Sequence, residues 1–489
     1  MFNKRIKNRF FRLMVVMFFL LPGTVFSQKG YTINKKYSPA ALKQDAAIVK
    51  SAVLKMHPVI GIYKPKNYYE ELFDNLIAGL NDSLTEKQFR IRLKLVLDEL
   101  HCGHTEVMYS RAFNKAIKPM KLNFLPYYFV TVNNKIFTVM PVNRKKDSLI
   151  KQGSEVLRIN GIPSDSILNF SRKMVSADGY VTSSKNLAMR TYVNYSYPSL
   201  FGRPDTFLIE TKRGDSLKTY CVGACNLKDL PLLPVGLKED SLLRKHKRAN
   251  ISEGYADSAH KLFVLKIKSF KSSRYKKVYR RVFRQLRRDK TENLVIDLRH
   301  NGGGNLENCY RLLKYLNEKE QTVTLRSHVK NYPDKKYARG NWSFRLTKFV
   351  LKTIGTKRVN GDSVWFTEKI KPYKKKHYNG KVYVLINGGT FSASCILASY
   401  LKESKRAILI GSETGGTTEG CNAGITPNYR LPNTKLQVRV PAFRIIHDIN
   451  PVFTGRGVLP HHEINYSFED LLKRRDLEMK YLKEQIIKN

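Results

Sequence analysis

Ser392 sits in "VYVLINGGTFSASCILASYLK" (382–402), where an apolar run breaks into Asn387-Gly388-Gly389-Thr390 and resumes with helical spacing. A serine at such a strand-to-helix turn can present its hydroxyl, with the free N–H of Ala393 facing whatever that hydroxyl attacks. The unpaired donors and partial positive charge of a helix N-terminus suit a developing oxyanion. The plain alternative is a helix N-cap, a common post for serine. Ser394, two residues on and on another face, is the lesser candidate. A second apolar run, "NLVIDLRHNGGGNL" (293–306), also spills into glycines, which let backbone approach a ligand closely. The N–H of Gly302 or Gly303 is a candidate second oxyanion donor, while Asp297 and Arg299 read as an ion pair anchoring the loop. No GxGxxG pattern opens a helix here, so a dinucleotide site is not indicated. A serine nucleophile needs a base near neutral pH, and imidazole is the usual one. "LDELHCGHTEV" (97–107) offers His101 and His104 around a flexible Gly103. With Cys102 they supply too few ligands for a metal site. Capping or packing is the commoner role for either histidine alone.

The elements around these loops fall into a clear order. Residues 38–100 read as helices: Ser38-Pro39 is an N-cap followed by proline at the first helical position, and Leu42, Ala46, Val49, Val53 and Met56 form one stripe. A second helix carries Tyr69, Phe73, Leu76 and Leu80, and a third opens at Thr85 with Gln88 three residues on, a capping box. From 120 to 225 the pattern turns to strands, with a hairpin at Asn133-Asn134 and a turn at Asn160-Gly161 before a short helix. A polar, basic stretch (226–258) reads as a linker. Beyond it strands and helices alternate, which predicts an α/β core of largely parallel strands, interrupted by a basic, aromatic, irregular insertion at about 325–378. Ligands in such sheets sit beyond the carboxyl ends of the strands, where every glycine loop falls.

At 489 residues the chain exceeds one ordinary core and predicts two or three domains. The balance of 88 Lys+Arg against 40 Asp+Glu gives +48, which raises nucleic-acid binding as a function class. The basic residues are spread along the chain with no recognition module, so no specific nucleic acid is indicated. Their densest run, "KSSRYKKVYRRVFRQLRRDK" (271–290), describes an amphipathic helix with a solvated basic face. Attraction to an anionic envelope surface or to acidic substrates is its expected consequence. Lys4, Arg5, Lys7, Arg9 and Arg12 precede an apolar run (13–21) and small residues ending at Ser27, the pattern of a signal peptide over 1–27. The expectation is an exported chain, periplasmic, envelope-associated or secreted, with a retained membrane anchor as the alternative. The six cysteines (102, 221, 225, 309, 395, 421) do not make a disulfide framework in a chain of this size.

Taken together, "NLVIDLRHNGGG", "VYVLINGGTFSASCILASYL" and "LIGSETGG", with "LHCGHT" upstream and "GRGVLPHHEI" (455–464) downstream, resemble the C-terminal-processing (tail-specific) and tricorn-core serine peptidases. The resemblance implies a crotonase/ClpP-like α/β catalytic core (259–470), an N-terminal helical domain (28–110), a PDZ-like β-rich domain (120–225), the linker at 226–258 and a C-terminal helix (471–489). It implies hydrolysis of peptide bonds in protein or peptide substrates, with no metal or organic cofactor, and strand addition of an extended peptide to the PDZ-like sheet. One branch of the family uses a Ser/Lys dyad, its lysine 25 residues after the serine. Here that position is Thr417, and no lysine occurs between Lys405 and Lys435. The tricorn-like branch takes its base from a "GHT" motif, matched by Gly103-His104-Thr105. The resemblance therefore assigns Ser392 as nucleophile, His104 as general base, and the N–H groups of Gly303 and Ala393 as the oxyanion hole. The branch's orienting glutamate belongs just before "GRGV", where Thr454 stands, and Glu413 is the substitute candidate. The alternative is a catalytically weak or inactive peptide- or ligand-binding protein on the same fold.

Overall fold

The computed structural model describes residues 31–142, 149–226, 243–258, 261–327, 334, 336–339, 357–359, 363–424, 426–447 and 454–488. The expected leader (1–27) and much of the 325–378 insertion lie outside the described residues. The N-terminal helices form as their spacing predicts. α1 (Pro39–Met56) is capped by the Ser38 side chain, α2 is Lys66–Ala78, and α3 (Glu86–Asp98) carries both bonds of the Thr85/Gln88 capping box. Their apolar stripes pack with Cys102, Val107, Tyr429, Leu436 and Val438 in one buried cluster. That cluster joins the histidine loop to distant chain, because Glu106–Met108 pairs antiparallel with Gln437–Arg439.

Residues 123–226 build around a six-stranded sheet ordered β6-β5-β3-β2-β1, with β4 beside β3. These strands are β1 (Tyr127–Val132), β2 (Lys135–Pro141), β3 (Glu155–Ile159), β4 (Ile162–Pro163), β5 (Thr206–Arg213) and β6 (Ser216–Gly223). The β1–β2 hairpin turns at Asn133 and Asn134, both at positive φ, as asparagine tolerates. Two helices cover the sheet, α4 (Ser164–Lys173) and α5 (Ser183–Leu200). The second departs from the strand reading: its Thr, Tyr and Val residues favour strands locally, but packing of Met189, Val193 and Tyr197 into the sheet's core overrides them. Strand addition at β1 meets an obstacle in the same helix. The Asn194 side chain donates to the Tyr127 carbonyl (2.5 Å) and accepts from the Phe129 N–H (3.1 Å), two edge groups an added strand needs.

The core is a seven-stranded sheet in chain order: β7 (Arg244–His246), β8 (Ile251–Asp257), β9 (Leu262–Ile267), β10 (Asn293–Asp297), β11 (Lys381–Ile386), β12 (Ile408–Gly411) and β13 (His462–Glu463). Pairing is antiparallel from β7 to β9 and parallel from β9 to β13. The linker reading is corrected at 244–257, which is β7 and β8. These are outer strands, largely unburied beyond Glu253, so their polar composition is that of a sheet edge. The insertion is likewise less irregular than it reads, since Ser363–Ile370 pairs antiparallel with Gln321–Ser327. Helices α6 (Tyr275–Arg288), α7 (Leu306–Leu316) and α8 (Ala393–Glu403) contribute to one buried cluster with the sheet; α9 (Leu477–Lys488) contributes to another. Buried Arg299 locks the β10 loop. Its guanidinium binds Asp297 (2.9 Å), Asp476 (2.7 Å) and Glu478 (2.9 Å), the anchoring role its spacing suggested.

Candidate active site

Ser392 occupies the N-cap position of α8, but its side chain makes no capping bond. Its backbone lies at φ 55° and ψ −124°, a conformation that costs a non-glycine residue on the order of 1–3 kcal/mol and persists only where surroundings impose it. The surroundings are visible. The Phe391 N–H donates to the Asn301 carbonyl (3.0 Å), the Ile396 N–H to the Ser392 carbonyl (3.0 Å), and the Ser394 hydroxyl to the Phe391 carbonyl (2.9 Å) and the Asn301 carbonyl. Ser394 is thus a buried structural hydroxyl. Buried Asn301 also donates to the Ile267 carbonyl (2.8 Å), tying the β9, β10 and β11 loops into one frame.

The serine hydroxyl instead meets His104, with Nε2 to Oγ at 3.2 Å across 288 positions of sequence. The imidazole stacks on Phe391 with centroids 4.6 Å apart, and its backbone carbonyl accepts from Arg439 Nε (2.9 Å). Gly103 is needed beside it, because a Cβ there would lie 2.6 Å from the Phe391 ring. Thr105, the last residue of the motif, is buried on His57, whose Nδ1 accepts from the Val59 N–H (3.1 Å). Nε2 of His57 therefore carries the proton and donates to Thr105 Oγ1 (2.7 Å). His101 faces elsewhere, among the rings of Tyr63 and Tyr180.

Behind His104 stands Asp178, which the sequence reading missed. Its Oδ1 accepts from the Gly103 N–H (2.6 Å), and its Oδ2 lies 4.0 Å from His104 Nδ1. Both of those facing atoms are buried without a hydrogen-bond partner. Asp178 arrives on the turn between α4 and α5, an Asp-Gly pair that reads as an ordinary loop; no local signal in sequence marks it. Gly179 fixes the turn: its N–H donates to the His101 carbonyl (2.9 Å), and a Cβ there would lie 2.2 Å from the Gly455 carbonyl. Burial pushes the Asp178 carboxyl up to about 7, held back by the Gly103 amide and Arg444. Burial, with Arg439 adding to it, lowers His104 to about 4, so the imidazole is neutral at neutral pH.

The other predicted residues fare differently. Glu413 does not face the histidine: its carboxylate binds Arg456 (2.9 and 3.1 Å) and the Gly457 N–H (2.9 Å). A second buried carboxylate, Glu419, lies in the electrostatic surroundings of Asp178, with both oxygens unpaired. Gly303 abuts the serine turn, and a Cβ there would lie 2.7 Å from the Phe391 carbonyl and 2.8 Å from the Ala393 N. Its own N–H, however, donates to Asn301 Oδ1 (2.9 Å), so in this conformation Gly303 serves by its missing side chain and not as a free donor. Ala393, by contrast, is the first residue of α8, where no preceding turn supplies a carbonyl for its N–H. Among the described residues no group of three or more His, Cys, Asp or Glu has the arrangement to hold a metal ion.

Residues 261–464 match the sequence model of peptidase family S41. The match takes in Gly303, Ser392, Ala393 and Glu413 and leaves His104 and Asp178 outside. An uncharacterised protein of Chlamydia muridarum (strain MoPn / Nigg) is 24% identical over 228 residues, 38% of this chain and 36% of the relative. A protein of Chlamydia trachomatis serovar D is 24% identical over 219 residues, 37% of this chain and 35% of the relative. The matched part thus spans about a third of the length of these curated relatives. Among solved structures, mature CPAF complexed with lactacystin superposes with a TM-score of 0.62 at 15% identity, covering 92% of this chain and 98% of that one. The crystal structure of mature CPAF gives 0.61 at 16% identity, with 92% and 96% covered. The shared fold is mixed α/β.

Proposed function

We propose that this chain, whose residues 261–464 match peptidase family S41, a family of serine proteases, is an exported serine endopeptidase whose nucleophile is Ser392 and whose general base is His104. The observation that supports this is the 3.2 Å approach of His104 Nε2 to an Oγ held on a strained turn and free of any capping bond. His104, neutral at rest, takes the hydroxyl proton as Oγ attacks the scissile carbonyl. It returns that proton to the leaving amine. The tautomer with its proton on Nδ1 faces Asp178, which we assign as the orienting carboxylate in place of Glu413. The Ala393 N–H receives the oxyanion at the start of α8. The Gly303 N–H joins it only by exchanging its bond to Asn301. Acting at the C-terminal ends of protein substrates, and residence in the periplasm or at the envelope, belong to the same proposal.

A second reading has an observation of its own. The 4.0 Å gap at Asp178 and the occupied Gly303 amide describe a site that is not closed, as a peptide-binding protein without catalysis would have. Fluorophosphonate labelling separates the two, because the reaction needs an activated serine. Labelling mapped to Ser392, abolished by Ser392→Ala and His104→Ala and slowed by Asp178→Asn, supports the peptidase. Persistence in His104→Ala removes the base assignment. A folded protein that takes no label favours the binding protein.

A further inference from the structure

The positive charge is not evenly spread where α6 lies. Its inner side buries Tyr275, Tyr279 and Phe283, while Lys277, Arg280, Arg284 and Arg287 stand on the exposed side. Among the described residues none of these four cations has a carboxylate within ion-pair distance. Lys276, Arg280, Arg284 and Arg288 recur at every fourth position, a like-charge spacing that weakens a helix, and only the first and last reach an acid. Two neighbouring segments extend the face. The Ser272 hydroxyl bonds the Arg248 carbonyl beside exposed Lys247, and Arg287 Nη1 bonds the Lys376 carbonyl (3.1 Å) beside exposed Lys374 and Lys375. The acids within this band are already engaged: Glu253 is buried under Arg281, Asp289 on Arg288, and Glu307 on Lys276.

We propose that this face docks the protein on an anionic lipid surface. The helix and its flanking segments present long cationic side chains outward on an exposed helix side and not in a groove. The helix's own aromatic rings point inward, so it offers no platform on which nucleic-acid bases could stack. Each cation near an anionic bilayer contributes roughly a fivefold gain in partitioning. The face therefore confers lipid-charge dependence independent of the chemistry at Ser392.

The test uses the full chain and sedimentation with vesicles of phosphatidylglycerol and phosphatidylcholine (30:70), against pure phosphatidylcholine. Any insertion of the N-terminal apolar run is common to both, so the readout is the difference. Arg280→Gln/Arg284→Gln/Arg287→Gln should reduce the phosphatidylglycerol-dependent partitioning by on the order of a hundredfold. Lys212→Gln/Arg213→Gln/Lys218→Gln removes as much charge from the exposed β5–β6 hairpin and should leave it nearly unchanged. Equal loss in both triple variants would mean that net charge, and not this face, is responsible. No preference for the anionic vesicle, or a duplex DNA competitor that displaces the protein at physiological salt, would overturn the proposal.

Discussion

Asp178→Asn should reshape the dependence of folding stability on pH, and the size of the effect can be worked from the site. The ordinary values for the two facing groups are 3.8 for Asp178 and 6.5 for His104; burial moves them to about 7 and about 4 in the folded chain. Between roughly pH 4 and 6.5 the unfolded chain therefore holds a proton on His104 and none on Asp178, and the folded chain does the reverse. The lowered histidine contributes stability that is present above pH 6.5 and lost as pH falls through about 4. The raised aspartate contributes stability that is present below pH 3.8 and lost as pH rises through about 7. In the shared window the two slopes are equal and opposite, so wild type gains nothing from either. Removing the carboxyl leaves the histidine slope alone, about 1.4 kcal/mol per pH unit. Over about 2.5 units, Asp178→Asn should lose about 3 kcal/mol relative to wild type on going from pH 6.5 to 4. His104→Gln should show the opposite tilt, losing stability relative to wild type as pH rises over the same range. Urea unfolding of the three proteins at pH 4.5, 5.5 and 6.5 measures this, and differences between proteins cancel the contributions of all other groups. Parallel stability curves for wild type and Asp178→Asn would refute the claim that these two groups exchange a proton on folding.

The same carboxyl governs the proposed reaction. If Asp178 must be ionised to orient His104, kcat/KM on a peptide should fall as pH drops through about 7, and Asp178→Asn should flatten that limb. Gly303→Ala places a Cβ 2.7 Å from the Phe391 carbonyl at φ +87°, so fluorophosphonate labelling should slow by about a hundredfold as the serine turn shifts. Retained labelling would show that the turn tolerates the intrusion. Arg299→Met leaves three carboxylates facing one another, among them buried Asp297, which desolvation would raise but Arg299 holds at about 2. A loss of about 3–5 kcal/mol is expected in a urea titration, and a change under about 1 kcal/mol would mean the cluster is already solvated.

Much of this was legible because it is local. The capping box at Thr85, the turn at Asn133-Asn134 and the β-α alternation after 261 each follow from a few neighbouring residues. The pairing of His104 with Ser392, 288 residues apart, came only from the resemblance, whose "GHT" motif supplies the base; no local feature of either segment points to the other. Asp178 was not legible. Its role rests on the Gly103 amide, the Gly179–Gly455 contact and burial between elements, none of which leaves a periodic trace. Glu413 misled because a carboxylate just past a strand end is well placed in sequence, but Arg456, two residues past the vacant Thr454 position, captures it. Helix α5 was hidden for a different reason, since strand-forming side chains there are outweighed by what they pack against.

Why a chain of +48 should leave its base neutral follows from the same burial. Arg439 adds to desolvation in opposing the imidazolium, so protonating His104 at pH 7 costs about 4 kcal/mol against a value of about 4. A general base must nevertheless become imidazolium in the transition state. Asp178 enters the His104 balance only when ionised, which near pH 7 is almost free of cost for a carboxyl at about 7. Opposite charges 4.0 Å apart attract by about 4 kcal/mol at an effective dielectric constant of 20. That matches the imidazolium cost, and closure of the gap to hydrogen-bond distance would exceed it. Near pH 7 about half of the Asp178 carboxyls are already ionised, and beside such a carboxylate the one proton leaving Ser392 turns His104 into its imidazolium while the negative charge passes to the oxyanion. Asp178 then stabilises the imidazolium more than it stabilises the resting enzyme, which is the condition for a residue to raise the rate and not merely hold the fold.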